Sequence, residues 1–301
     1  MLIPCVYAAV VALGMAARGL RLLDEHAPAV LSKILLNVTL PAAVVCGFAD
    51  FGDATLLGLT VLGFGCSAVV LFGVWAVTRR LDTDLRAFYM LNLCGYNIGC
   101  FSLPVAGSVC GSAGTVAACL FDTGNALVMT GGSYTATAGL LRLQREKEGN
   151  AFVGGVLRLV RSVPFDTYAV MLVLSLAGIR LPALLGQILS PVASANGFLA
   201  MFTAGAMFSP AAFRRYVRSA LIVVAVRLVL GCALASAAYF LLPYPFEVRF
   251  TVMLLAFSPV SALAPVFSEK CCGEGARSGL ALSLSVVAAL PCMLVLAAWA
   301  G

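Results

Sequence analysis

The chain is a succession of apolar runs, each about twenty residues long, cut where proline, glycine and charge gather. A helix rises about 1.5 Å per residue and the hydrocarbon core of a bilayer is about 30 Å thick, so each run is long enough to cross once. The pattern predicts ten helices, at 2–21, 29–49, 54–78, 86–108, 113–141, 164–181, 183–209, 217–242, 248–268 and 276–300. The runs are continuous rather than alternating, which argues against an outer-membrane barrel. The first run lacks a basic segment ahead of it and ends at Arg18 and Arg21 without a small-residue cleavage pattern. It is expected to be a retained span, not a removed leader.

Composition agrees with that reading. Of 301 residues, 62% are apolar and 11% charged, against roughly 45–50% and about 25% in a soluble domain. Too few polar side chains remain to cover a fold in water, and the apolar excess excludes disorder. The net charge of +6 suggests nucleic acid only until the basic residues are placed. Arg18, Arg21, Lys33, Arg79, Arg80, Arg86, Arg142, Arg145, Lys147, Arg158, Arg161, Arg214, Arg215, Arg218, Lys270 and Arg277 all border loops on one side of the ten-helix pattern. Arg180 and Arg249 border the other, and Arg227 falls mid-helix. Positive charge marks the cytoplasm, so a multi-pass protein of the plasma (inner) membrane with both termini outside is expected, its surroundings lipid and not nucleic acid.

The eleven cysteines are scattered, mostly inside apolar runs, and imply no disulfide framework. His26 is the single histidine and Cys271–Cys272 lack a partner pair, so no metal site is expected. His26, Asp50 and Asp53 read as solvated loop residues.

Cutting at RLQREKEGN leaves five helices on each side, and an odd number makes the halves inverted. The expected organisation is a first repeat over 1–141, a cytoplasmic connector over 142–163 and a second repeat over 164–301. Helix four opens with Asp84-Leu-Arg86 and reaches Pro104; helix nine opens with Glu247-Val-Arg249 and reaches Pro265. Inverted repeats with discontinuous helices near the midplane are a recurrent plan of secondary transporters.

Helix four carries NLCGYNIGCFSLPVAG, placing Asn92, Gly95, Asn97, Gly99, Ser102 and Pro104 inside an apolar run; helix nine carries FSPVSALAPVF, with Ser258, Pro259, Ser261 and Pro265. An interior proline costs about 3 kcal/mol or more, and irregular backbone survives in a membrane only inside protein or along a watery cavity. Single prolines kink membrane helices routinely, but a matched pair beside Asn97 predicts two inward-facing breaks. Their second halves offer amides and positive dipole ends to an anion, with Asn97, Ser258 and Ser261 as neutral donors. Asp122, with Asn125 on the same face of helix five, is a candidate to take up and release a coupling proton, since burial penalises its charge. The alternative is a structural pair with Arg227, which equally has the reach to snorkel towards the cytoplasm.

At these residues the chain resembles the auxin efflux carrier family, including its bacterial members. Asn97 and Pro104 keep the family's seven-residue spacing, with Ser102 where the family has glycine. SPVSALAPVFSEK, followed by LSLSVVAALP, is similar to the family's ninth and tenth helices, placing Pro259 on its break and Glu269–Lys270 at the helix end. The resemblance implies an all-α, bile-acid-symporter-like fold of ten helices in two inverted halves, with helices four and nine broken and crossing. It further implies elevator-like secondary transport of organic anions, which are auxins in plant carriers and malate or malonate in some bacterial relatives. By that likeness Asn97 and the backbones at Pro104 and Pro259 hold a carboxylate.

The expected function is therefore secondary transport of a small organic anion, with H⁺ or Na⁺ as coupling ion, no other cofactor, and a homodimer left open. Rivals are a sodium-coupled symporter on the same fold and a membrane receptor that binds without moving its ligand. No phosphate loop, dinucleotide turn or nucleophile elbow occurs, so no enzyme activity is expected.

Overall fold

The computed structural model describes residues 2–24, 26–48, 54–143, 162–179, 181–208 and 210–300. Asp50, Asp53, Arg145, Lys147, Arg158, Arg161 and Arg180, with most of the connector, lie outside the described residues. Every regular element among the described residues is helical. These are α1 (Leu2–Gly19), α2 (Ala27–Ile34), α3 (Leu40–Gly47), α4 (Gly58–Val77), α5 (Thr83–Leu93), α6 (Leu103–Leu127), α7 (Ser133–Leu140), α8 (Val163–Leu176), α9 (Ala183–Ala206), α10 (Pro210–Leu241), α11 (Phe246–Ala256), α12 (Ala264–Cys272) and α13 (Gly275–Ala300). Single π-helical turns at Leu35–Thr39, Ile98–Ser102 and Val128–Gly132 join α2 to α3, lead into α6, and join α6 to α7.

Six stretches among the described residues are long and apolar enough to cross a bilayer, and the chain is a multi-pass helical membrane protein. One of the six, Ile98–Leu140, has 43 residues. Straight, it would extend about 65 Å, twice the hydrocarbon thickness. Gly111 interrupts it with φ 63° and ψ −149°, a conformation that suits a residue without a Cβ. The chain folds back there: a Cβ on Gly107 would lie 2.8 Å from the Thr115 hydroxyl, whereas eight residues of straight helix span about 12 Å. This turn falls in the gap expected between helices four and five.

Element ends differ from expectation where charge is carried on helix. α10 starts at Pro210 rather than 217, because Arg214 and Arg215 ride its exposed first turns instead of forming a loop. α8 stops at Leu176 rather than 181, just before Gly178 at φ 69°.

The helices pack in two groups. In one, α1 lies against α9, α9 against α2 and α3, and α3 against α8; in the other, α4 lies on α6 and α5, α10 on α11 and α13, α12 on α5 and α13, and α11 on α6. With lipid as solvent, close backbone approach replaces water exclusion as the source of cohesion. Gly14 of α1 and Gly205 of α9 show it reciprocally: a Cβ on either would stand 2.2 Å from the Phe202 carbonyl oxygen and 2.1 Å from that of Val11. Gly63 and Gly124 do the same for α4 and α6, against the carbonyls of Phe121 and Thr60.

Candidate functional site

Both predicted interruptions are present. α5 ends at Leu93, Cys94 is extended, and Gly95 has φ 70°, where a Cβ would also strike Met129. Helix resumes in the π turn from Ile98. α11 ends at Ala256, and the chain stays irregular until α12 starts at Ala264. Pro259 sits in that gap. Pro104 and Pro265 instead occupy the first turns of α6 and α12, where a missing N–H leaves no helical bond unmade. They open the second halves rather than break them.

The two gaps touch. The Asn97 N–H donates to the Pro259 carbonyl at 3.1 Å, and the hydroxyls of Ser102 and Ser258 meet at 2.6 Å. Arg227, from α10, joins both. Its guanidinium donates to the carbonyls of Leu93 at 3.0 Å and Gly95 at 2.9 Å on one side, and of Ser258 at 2.7 Å and Pro259 at 3.1 Å on the other, with Asn92 at 3.4 Å. The freed carbonyls of two helix C-termini carry partial negative charge; one buried cation answers both.

Asp122 lies elsewhere. One carboxylate oxygen accepts the Asn125 amide at 2.7 Å; the other accepts the Gly99 N–H at 2.8 Å and the Tyr168 hydroxyl. No ion pair joins Asp122 to Arg227, so the structural pairing weighed from sequence is replaced by two separate arrangements. Each charge sits at the helix end of opposite polarity, Asp122 at the start of the second half of the broken helix and Arg227 at the ends of the first halves.

Asn125 holds the first gap open. Its side chain accepts from the Tyr96 N–H at 2.9 Å and from Ser67 at 3.0 Å, and donates to the Tyr96 carbonyl at 2.8 Å, replacing the helical bonds that Tyr96 lacks. Asn92 is likewise enclosed: its amide donates to Phe88 and Ser268, and Ser278 donates to it at 2.6 Å. Its polar atoms serve a side-chain network between α5, α12 and α13.

Beside the crossing is a cavity of about 50 Å³, lined by Asn97, Gly99, Asp122, Thr130, Tyr168 and Ser261 among others. All three π turns border it, through Leu36, Gly99 and Met129; such turns widen a helix and recur at functional sites. Among the described residues no side-chain hydrogen bond engages the Asn97 amide, although the residue is 8% exposed. Pro104 faces a different space, an open cleft of about 510 Å³ shared with Tyr7, Ser194 and Asn196.

Three participants escaped the sequence reading. Tyr168 stands near the start of α8, where an aromatic reads as an interface anchor. Asn196, in the apolar run of α9, donates to the Gly99 carbonyl at 2.8 Å and accepts from Thr39 at 3.1 Å; an amide in the middle of such a run is the signal that points to it. Ser285 accepts the Val260 N–H at 3.0 Å, as Asp122 does for Gly99.

The chain matches no family model. It is similar to a protein of Methanothermobacter thermautotrophicus named an uncharacterized transporter, 24% identical over 258 residues that cover 84% of this chain and 82% of that protein. The chain is its distant homologue. The likeness runs through both groups of helices, so it concerns the whole membrane body and not one segment.

Proposed function

We propose that this protein is a secondary transporter of small organic anions, binding a carboxylate at the crossing of the two broken helices and moving it by alternating access. The observation that carries the reading is Asp122 on the Gly99 N–H: the cavity already holds a carboxylate at a helix N-terminus, and that carboxylate is the protein's own. A substrate carboxylate and Asp122 compete for the same amide, and two negative charges in one small buried space repel. Protonation of Asp122 removes both obstacles. The anion then takes the Gly99 amide, with the Asn97 side chain as second donor.

The same proton loosens the contact between the two helix groups. Tyr168 belongs to the α1–α3, α8, α9 group and Asp122 to the other, so their hydrogen bond spans the boundary; the Asn196–Gly99 and Ser283–Ala204 bonds also span it. A neutral acid is a weaker acceptor than a carboxylate. Substrate entry and release of the moving group are thereby linked through one residue.

The inverted-repeat reading over 1–141 and 164–301 is supported by paired contacts. α4 on α6 and α5 is mirrored by α10 on α13 and α11, and α1 on α9 by α8 on α3. Arg86 donates to the Trp75 carbonyl, and Arg249 to that of Tyr239, while Gly99–Asp122 is answered by Val260–Ser285. An inner-membrane location with both termini outside rests on the distribution of basic residues. The transporter name of the distant homologue supports a transporter over an enzyme or receptor.

A second reading is sodium coupling, because a buried carboxylate beside Thr130 and Ser261 also offers oxygen ligands to a small cation. Proteoliposome uptake of radiolabelled mono- and dicarboxylates tests both. Uptake driven by an inward proton gradient and unchanged when potassium replaces sodium supports the proposal; dependence on sodium supports the second reading, and saturable binding without uptake rejects transport.

A further inference from the structure

A second, larger hollow lies away from the crossing. A groove of about 900 Å³ runs between α4, α5, α10 and α13, and its polarity is ordered along its length. Arg215, Arg218 and Arg277 stand at one end, with Thr78; Val69, Val70, Leu93 and Leu230 line the rest. Along α4 the lining extends from Val69 to Thr78, about 14 Å of helix, close to the roughly 15 Å of one leaflet's hydrocarbon. Among the described residues one ion pair, Arg277 with Glu274 at 3.3 Å, engages this trio. Arg277 also lies over the rings of Phe88 and Tyr216, at 5.4 and 4.8 Å. Arg215 and Arg218 are exposed and carry no ion pair among the described residues.

We propose that this groove binds an anionic phospholipid, its phosphate held by Arg215 and Arg218 and one acyl chain laid along α4 and α10. Charge complementarity and the single direction of the polarity gradient select this occupant. A zwitterionic lipid brings its own cation beside the phosphate and so gains less from the arginines, and a soluble anion leaves the apolar wall uncovered. The groove lies within one helix group, so a lipid here travels with that group.

Thermal unfolding of the full chain in neutral detergent tests the assignment, with phosphatidylglycerol, phosphatidylcholine and glycerol phosphate as probes. Phosphatidylglycerol is expected to raise the midpoint and the other two to leave it unchanged, since a ligand of the folded state shifts the midpoint with its occupancy. Arg215→Ala/Arg218→Ala is expected to weaken the response about thirtyfold in lipid concentration. Gly73→Phe is expected to abolish it: a Cβ there meets nothing within 4 Å, so the ring fills the groove without disturbing the helix. Equal stabilisation by phosphatidylcholine, or an undiminished response in both variants, overturns the proposal. Should the variants not fold, native mass spectrometry of wild-type protein from equimolar mixed vesicles decides, since equal retention of the two lipids also overturns it.

Discussion

The hydroxyls of Ser102 and Ser258, 156 residues apart in the chain, meet at 2.6 Å. Neither hydroxyl needs the other to be satisfied in a helix, where each would bond back to a carbonyl one turn earlier. Their meeting marks where the second half of one broken helix passes the end of the first half of the other. A double-mutant cycle with Ser102→Ala and Ser258→Ala should return a coupling of about 1 kcal/mol in unfolding free energy. Strict additivity would place the two gaps apart.

Asn97 offers the test of the substrate assignment. Its side chain carries no hydrogen bond among the described residues, so Asn97→Ala should change stability by less than about 1 kcal/mol. Carboxylate uptake in proteoliposomes should nonetheless fall at least tenfold. Wild-type uptake by this variant would remove Asn97 from the site.

Asp122 sets the expected pH dependence. Its carboxylate occupies the amide that the substrate needs, so anion uptake should rise as the pH falls and more of the protein carries Asp122 as the neutral acid. Asp122→Asn keeps the shape and removes the titration, so its uptake should lose that pH dependence. An Asn variant whose uptake still climbs on acidification would assign the proton to another group.

Tyr168→Phe deletes only the hydroxyl that ties the two helix groups together at Asp122. A hydrogen bond to a charged acceptor contributes about 1.5–3 kcal/mol, and its loss should appear partly as lower thermal stability and partly as a shift between conformations. Spin-label distances between α8 and α4 should broaden or move relative to wild type. An unchanged distance distribution would separate Tyr168 from the transport cycle.

Arg227 should be the most costly of these positions. Removing it leaves the carbonyls of Leu93, Gly95, Ser258 and Pro259 unpartnered in a buried site, and Arg227→Met should destabilise by about 3–5 kcal/mol. Arg227→Lys retains the charge but not the planar fork that reaches both gaps, and should recover only part of that loss. Chemical unfolding in mixed micelles measures both.

Much of this was legible in the chain itself because a bilayer imposes simple rules. The apolar runs, the prolines at 104, 259 and 265, the gap around Gly111 and the polar string from Asn92 to Ser102 each follow from what hydrocarbon tolerates. The partners of the charges were not legible. Among the described residues Asp122 and Arg227 are the buried charges, and their opposite signs suggest a pair. The fold instead gives each to a helix terminus, because broken helices expose partial charges that no sequence pattern displays. Asn92 and Asn125 show the same limit: both read as site residues, and both spend their polar atoms holding neighbouring backbone or side chains.

Hydropathy, charge placement and the positions of proline therefore determined that this is a multi-pass helical protein with two interrupted segments, since solvent preference and backbone restriction act residue by residue and are written in order along the chain. Which interrupted ends face one another, which cation spans them, and which carboxylate fills the waiting amide were decided only in three dimensions. Those are relations between groups as far apart in the chain as Asn97 and Pro259, and their energies exist only once the backbone has brought the groups within hydrogen-bonding distance.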